Sequence, residues 1–195
     1  GNYIMDSTKA YNENRKIDGV DMYSFEIISD MYSKDKNYVY RRNRYIKGAD
    51  PKSFRLLQDE SAQNNNIYAV DSDDVFYDGN IIKEADPETF KLLGNVFAVD
   101  KANVYASGVI IDIDKYNYKI WKNGLYIKDH KKVFWDNNQV IGADPETFEE
   151  LGSENIAKDK NNIYNREKTV KKFSPKKLSY IGGAYYIYDN KVINL

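Results

Sequence analysis

The sequence predicts an all-β fold built from tandem repeats of about 29 residues, each holding short strands paired as hairpins and one short helical turn. The first observation is a hexapeptide, ADPETF, which occurs at 85–90 and again at 143–148, with a near copy at 49–54. The second is a series of aspartates at almost constant spacing. The third is that strand-forming and turn-forming residues alternate around each aspartate. An open, solenoid-like array is favoured over a closed, propeller-like ring, since propeller blades need about 40 residues or more.

The aspartates define the repeats. Six of them follow one another at intervals of 29, 36, 29, 29 and 30 residues, and a shortened last repeat has glycine in the same slot. The anchors are Asp6, Asp35, Asp71, Asp100, Asp129, Asp159 and Gly183. A single repeat buries too few large side chains to fold alone, so neighbouring repeats must cover one another. Residues 1–195 are therefore predicted to form one tandem-repeat domain.

Each repeat has the composition of paired strands. A large side chain stands three residues before the anchor, an aromatic residue stands five after it, and a β-branched residue stands eleven after it. In the third repeat, 68–70 and 75–77 are predicted strands joined by an Asp-rich turn. The dipeptide Asp78-Gly79 is typical of a type I′ turn, which predicts a third strand at 81–83.

The hexapeptide is predicted to start a short helical turn. Asp86 has the chemistry of a helix N-cap, Pro87 suits the first helical position, and Glu88 complements the helix dipole. Phe90 and Leu93 are then expected to be buried on one face. Equivalent caps are predicted at Asp50, Asp144 and Ser174, with buried pairs Phe54/Leu57, Phe148/Leu151 and Leu178/Ile181.

Three segments carry a resemblance to a known family: DKNYVY at 35–40, DKANVY at 100–105 and DKNNIY at 159–164. The chain resembles the DKNYY repeat family of bacterial proteins over essentially its whole length. The family has no established activity, but its members often look exported or surface-associated. The resemblance therefore implies an extracytoplasmic location, whether secreted, periplasmic or on the cell surface.

No catalytic motif stands out. His130 is the one histidine and occupies a turn slot that carries Lys36, Lys101 or Lys160 in other repeats, so it is expected to be an exposed turn residue. The chain has no nucleophile elbow, phosphate loop, paired-histidine zinc motif or cysteine. The acidic segments 71–74 and 112–114 do not complete an EF-hand and are interpreted as solvated turns. No catalytic residue, metal site or cofactor is predicted.

Two functions from different classes remain. With 29 basic and 30 acidic residues and the basic segment 41–44 diluted by acidic neighbours, nucleic-acid binding is not expected, and no apolar run is long enough to span a membrane. The favoured hypothesis is a non-catalytic extracytoplasmic module for protein or glycan interaction, and the alternative is a hydrolase with an unrecognised carboxylate site. A cleft of non-repeat polar residues would favour the enzyme, and aromatics in register would favour binding. Trp135, at a slot that varies between repeats, is either a binding residue or a strand residue that packs on a neighbouring repeat.

Overall fold

The computed structural model describes residues 2–58, 67–94, 96–121, 125–152 and 155–194. The chain divides into two compact units, Gly1–Leu93 with Val99–Ala102 and Gly94–Ala98 with Asn103–Leu195. Over the described ranges, no helix is long and apolar enough to cross a membrane.

Almost all of the regular structure is short antiparallel strand. The first three repeats contain β1 (Tyr3–Met5), β2 (Ala10–Asn12), β3 (Arg15–Lys16), β4 (Glu26–Ile27), β5 (Tyr32–Lys34), β6 (Val39–Arg41), β7 (Arg44–Tyr45), β8 (Arg55–Leu56), β9 (Tyr68–Val70), β10 (Val75–Tyr77) and β11 (Asn80–Ile81). The next two contain β12 (Lys91–Leu92), β13 (Phe97–Val99), β14 (Val104–Ala106), β15 (Val109–Ile111), β16 (Lys119–Ile120), β17 (Tyr126–Lys128), β18 (Val133–Trp135) and β19 (Asn138–Gln139). The last two contain β20 (Glu149–Glu150), β21 (Ile156–Lys158), β22 (Ile163–Asn165), β23 (Lys168–Thr169), a 3-10 helix (Pro175–Lys177), β24 (Leu178–Gly182), β25 (Tyr185–Tyr188) and β26 (Lys191–Asn194).

The predicted all-β tandem-repeat fold is confirmed. Strands flank every repeat aspartate, as β5 and β6 do at Asp35 and β17 and β18 do at Asp129. Six sheets lie entirely within one of the two compact units. Their strand orders are β1-β2-β3, β4-β5-β6-β7, β11-β10-β9-β8, β16-β17-β18-β19, β20-β21-β22-β23 and β24-β25-β26. In the second compact unit β14 also pairs with β15. Each of these sheets is open, with two edge strands, so among the described residues none closes into a barrel.

The hairpin turn after the second strand has the predicted geometry. Asp78 and Gly79 have φ angles of 54° and 79°, as a type I′ turn requires at both central positions. The third strand begins one residue earlier than predicted, at Asn80 rather than Ile81, and Phe76 pairs with Ile81. The two-residue turn fixes this register because it leaves Tyr77 opposite Asn80.

The segment after the hexapeptide turn is a strand, which the sequence analysis missed. The backbone forms one turn, in which the Thr89 N–H donates to the Asp86 carbonyl, and then extends into β12. Leu93 is half-buried, whereas Phe90 is buried. The chain extends because the backbone groups after the turn find partners on the neighbouring hairpin, as β20 does on β21.

Two details of the predicted caps are wrong at the last repeat. Ser174 precedes the 3-10 helix but makes no side-chain capping bond. Leu178 is buried, yet Ile181 is half exposed, and it stands where the pairing of β24 with β25 is irregular, between Tyr180 and Gly182. The predicted buried pair Leu178/Ile181 therefore does not form.

Neighbouring repeats share their cores, as predicted for units that cannot fold alone. In the second compact unit, Tyr126 and Val133 of one sheet pack with Ala157 and Tyr164 of the next, and Phe148 lies between them. In the first compact unit, Tyr32 and Val39 pack in the same way with Ala69 and Phe76 around Phe54. Phe54 and Phe148 are thus core residues at the junction between two sheets.

Candidate functional site

The repeat aspartate is a buried structural carboxylate. Asp159 accepts hydrogen bonds through Oδ1 from the backbone N–H groups of Asn161 and Asn162, both at 2.7 Å. Its Oδ2 accepts from the backbone N–H of Asp144, at 2.8 Å, in the preceding hexapeptide. We call this set of bonds the aspartate clasp. It ties the turn of one repeat to the cap residue of the segment before it.

The same clasp recurs along the chain. The Asp35 carboxylate accepts from Asp21 N–H, that of Asp71 from Asp50 N–H, that of Asp100 from Asp86 N–H and that of Asp129 from Asp114 N–H, at distances of 2.8–3.0 Å. Asp6 bonds only within its own turn, to Thr8 and Lys9, and is exposed. Lys115 takes the place of proline after Asp114, but the clasp there is intact, because the bond uses the N–H of the residue before it.

The residue after the repeat aspartate strengthens the clasp. The Lys160 ammonium forms an ion pair with the Asp144 carboxylate. The backbone N–H of Lys160 donates to Thr147 Oγ1 at 3.1 Å. Lys101 makes the equivalent contacts to Asp86 and Thr89, and Lys36 to Asp21 and Ser24. The Lys160 ammonium lowers the pKa of Asp144, and Lys101 and Lys36 do the same for Asp86 and Asp21.

These contacts explain why the hexapeptide sequence recurs, and none of them involves a ligand. The Asp86 side chain accepts from the Glu88 N–H at 2.9 Å, as a helix cap does, while its N–H enters the clasp. Thr89 accepts from the following repeat, and Phe90 enters the core. The cap bond predicted from the sequence is confirmed at Asp50, Asp86 and Asp144. The repeated motif is therefore a scaffold element.

Tyrosine completes the clasp in some repeats. The buried Tyr164 hydroxyl donates to Asp159 Oδ2 at 2.7 Å, as Tyr40 does to Asp35 at 2.8 Å. Burial and the neighbouring carboxylate raise the pKa of both phenols. Phe76 and Phe134 fill the slot without a hydroxyl.

We expect Tyr164→Phe to lower the free energy of unfolding by about 1–2 kcal/mol, because a hydrogen bond to a charged acceptor is lost inside the protein. Urea unfolding followed by circular dichroism measures this. Tyr185→Phe, at an exposed tyrosine, is the control and should change stability little. Equal stability of Tyr164→Phe and the wild type would show that the hydroxyl contributes nothing to the clasp.

Stability should fall in acid. Burial raises the pKa of Asp35 and Asp129, but backbone hydrogen bonds outweigh it and leave both pKa values below the usual one. A carboxyl whose pKa is lower in the folded state stabilises the fold above its unfolded pKa of about 3.9 and loses that contribution as the pH falls through its folded pKa. We expect urea midpoints to be steady between about pH 5 and 8 and to drop below about pH 4. The urea midpoint of Asp35→Asn should fall less steeply below about pH 4 than that of the wild type. A wild-type midpoint that rises on acidification would contradict a stabilising role for these carboxylates.

The other residues considered from the sequence have structural positions. His130 is exposed at its turn, as predicted. Asp71 uses both carboxylate oxygens on backbone N–H groups, and Asp112 pairs with Lys132. Asp114 accepts from the Tyr116 N–H at 3.0 Å. Over the part of the chain that the structure describes, no three His, Asp or Glu side chains are grouped to hold a metal ion. That the protein needs no metal stays a prediction.

A groove of about 740 Å³ surrounds Trp135 in the second compact unit. Trp135 and Asn138 line it from the β18–β19 hairpin, and residues 165–168 line it from the β22–β23 hairpin. The buried Tyr126 hydroxyl holds the backbone on the β22–β23 side of the groove. It lies 2.8 Å from the Asn155 carbonyl oxygen and 2.9 Å from the Arg166 carbonyl oxygen, and it shares its one hydrogen between these two acceptors. Volumes of about 300–1,000 Å³ are typical of ligand pockets.

The polar groups of the groove are only partly satisfied. Trp135 is half-buried, and its indole N–H is buried without a hydrogen-bond partner among the described residues. The Arg166 guanidinium lies over the indole ring, 5.2 Å from its centroid, which is a cation-π contact. Glu167 faces Lys168 at 3.8 Å. Trp135 also packs on the core around Tyr126, so it is both a packing residue and a groove residue.

The fold and its clasp define a tandem-repeat protein of short β-sheets. Two matches to the DKNYY family model cover residues 64–123 and 126–194, so the chain belongs to the DKNYY family. The predicted resemblance is therefore confirmed over these residues, which include the segments at 100–105 and 159–164, whereas the segment at 35–40 lies before the first match. No curated protein and no solved structure matches the chain.

Sequence reasoning identified Trp135 but missed the rest of the groove. Arg166 and Glu167 stand in a hairpin turn and gave no signal beyond turn chemistry. It also missed Asp21 as a cap residue. The interval from cap to repeat aspartate, 14 residues from Asp21 to Asp35 and from Asp86 to Asp100, could have revealed it.

Proposed function

We propose that this protein is a non-catalytic repeat module that acts outside the cytoplasm and binds a protein or glycan through the Trp135 groove. The observation that carries the proposal is the contrast between two sets of residues. Those of the clasp recur from repeat to repeat, whereas those of the groove differ. A repeat scaffold with a variable surface is the arrangement that solenoid proteins use for recognition.

The slot of Trp135 illustrates the contrast. It lies six residues after the repeat aspartate, and the other repeats fill it with Asn12, Arg41, Tyr77, Ala106 and Asn165. Side chains at this slot are at the end of the second strand, next to the hairpin turn. Asn12 and Ala106 are buried, whereas Arg41, Tyr77, Trp135 and Asn165 are half-buried or exposed, so in those four repeats variation at the slot changes the surface.

The composition of the groove favours binding over hydrolysis. It is a cleft of non-repeat polar residues, which the sequence analysis associated with an enzyme. However, Glu167 is the one carboxylate among the described residues of its lining. Most glycoside hydrolases use a pair of carboxyl groups, one on each side of the bond that breaks. The smaller pocket beside His130 contains Asp129 and Glu146, but Asp129 is committed to the clasp.

An array of immobilised oligosaccharides and peptides tests the proposal, with wild type and Trp135→Ala compared on every spot. We expect some ligands to be retained by the wild type and lost by the variant, and we expect each retained ligand to be recovered unchanged after incubation. Ligand cleavage that depends on Glu167 or on Asp129 would favour the hydrolase. Retention that Trp135→Ala leaves unchanged, or no retention of any ligand, would contradict the assignment of the groove.

The proposed location has its own test. Cells that carry the natural gene should release the protein, or expose it to added protease, under conditions where a cytoplasmic marker stays intact. A protein that is protected together with the marker would contradict an extracytoplasmic role.

A further inference from the structure

Arg166 brings a positive charge to the lining of the groove. No ion pair joins Arg166 to a carboxylate among the described residues, although eleven other pairs are present in that part of the chain. The nearest acidic lining residue, Glu167, pairs with Lys168 instead. The lining thus carries two basic groups and one acidic group, a net charge of +1 from Arg166, Lys168 and Glu167.

The groove also has hydrogen-bond donors in excess. Among the described residues, the Trp135 indole N–H has no acceptor, and the Arg166 guanidinium contacts the face of the indole ring. A buried donor without a partner costs about 1–3 kcal/mol, so the indole N–H favours a ligand that supplies an acceptor. The Arg166 side chain is exposed and offers further donors to the same ligand.

The uncharged polar residues that line the groove can form hydrogen bonds with ligand hydroxyl groups. Asn138, Asn155 and Asn165 each offer an uncharged amide, which both donates and accepts as a sugar hydroxyl does. Apolar atoms of the lining come from the exposed Ala184 and from Ile156 and Tyr186, which are buried beneath it. Among the described lining residues, amide and charged side chains outnumber apolar ones, which favours a ligand rich in hydroxyl and charged groups.

We infer that the Trp135 groove binds an acidic oligosaccharide, with Arg166 recognising a carboxylate of a uronic acid residue and the asparagine amides binding its hydroxyls. Arginine is suited to this role because its planar fork binds a carboxylate through two parallel hydrogen bonds. The inference rests on the proposed function and specifies its ligand class.

Isothermal titration tests the inference with four short uronic acid oligomers, of galacturonate, mannuronate, hyaluronan and heparosan, each beside its carboxyl methyl ester. We expect at least one acid to bind and its ester to bind at least about tenfold more weakly, since a charged hydrogen bond is lost. Arg166→Gln should weaken binding of the acid by a similar factor. Arg42→Gln is the matched control, because Arg42 holds the same turn slot in another repeat, with φ of 55° against 58° for Arg166, and it should change affinity less than twofold.

Equal binding of acid and ester, or an unchanged affinity of Arg166→Gln, would overturn the inference while leaving a glycan-binding function intact. Tighter binding of a peptide with a free C-terminal carboxylate would assign the groove to protein ligands. Equal competition by inorganic phosphate would reduce it to a general anion site. If no acidic oligomer binds at millimolar concentration, the inference is wrong, and the ligand array then decides separately whether the proposed function survives.

Discussion

Replacing Asp159 with alanine should lower the free energy of unfolding by about 3 kcal/mol or more. The carboxylate is 3% exposed and accepts from three backbone N–H groups and from the Tyr164 hydroxyl. Its removal leaves several donors buried without a partner, and each costs about 1–3 kcal/mol. Urea unfolding monitored by circular dichroism gives the free energy of unfolding. If the variant folds in the same way, the slope of this free energy against urea concentration should equal that of the wild type.

Asp6→Ala is the matched control for this prediction. Asp6 holds the same repeat slot and bonds its own turn, but it is exposed and makes no bond to a preceding cap. We expect a loss of about 1 kcal/mol or less. If the two substitutions were equally damaging, the turn itself, and not the bond to the preceding segment, would be the stabilising feature.

Phe148→Ala should cost about 3–5 kcal/mol, the range found for truncation of a buried phenylalanine. Phe148 is 4% exposed, and its ring centroid lies 5.3 Å from that of Tyr126, 5.5 Å from that of Trp121 and 5.7 Å from that of Tyr164. The substitution opens a cavity at the junction of two repeats. Phe90→Ala should behave similarly, since Phe90 is buried beside Tyr68.

His130→Ala provides the comparison for the phenylalanine variants. An exposed turn residue usually changes stability within about 0.5 kcal/mol. Denaturant melts of the three variants measure the contrast. A larger loss from His130→Ala, or loss of a measurable activity with the fold intact, would contradict the repeat interpretation of that slot and favour the enzyme hypothesis.

The fold was predictable from the sequence where local chemistry decides it. The strand pairs around each aspartate, the type I′ turn at Asp78-Gly79 and the caps at Asp50, Asp86 and Asp144 all follow from residues within a few positions of one another. Because such signals recur at a fixed spacing, each repeat supports the interpretation of the others. The DKNYY assignment depends on the same recurrence.

The unpredicted features depend on contacts between distant residues. The strand after the hexapeptide has the spacing of a helix face, and only its pairing with the next hairpin makes it extended. The second role of the repeat aspartate, at the N–H of a residue 14 to 21 positions earlier, has no local signature. In the groove, Trp135 meets Arg166 from the next repeat, and no spacing within one repeat brings the two together.

Amide hydrogen exchange at Asp144 tests whether the aspartate clasp forms in solution. Asp144 lies in a half-exposed turn, where an amide without a partner would exchange rapidly. The clasp predicts that its N–H is protected as strongly as amides in β21 and β22, and that Asp159→Ala removes this protection while leaving the amide of Asp50, held by Asp71, unchanged. Rapid exchange at Asp144 in the wild-type protein, or protection that survives Asp159→Ala, would contradict the clasp.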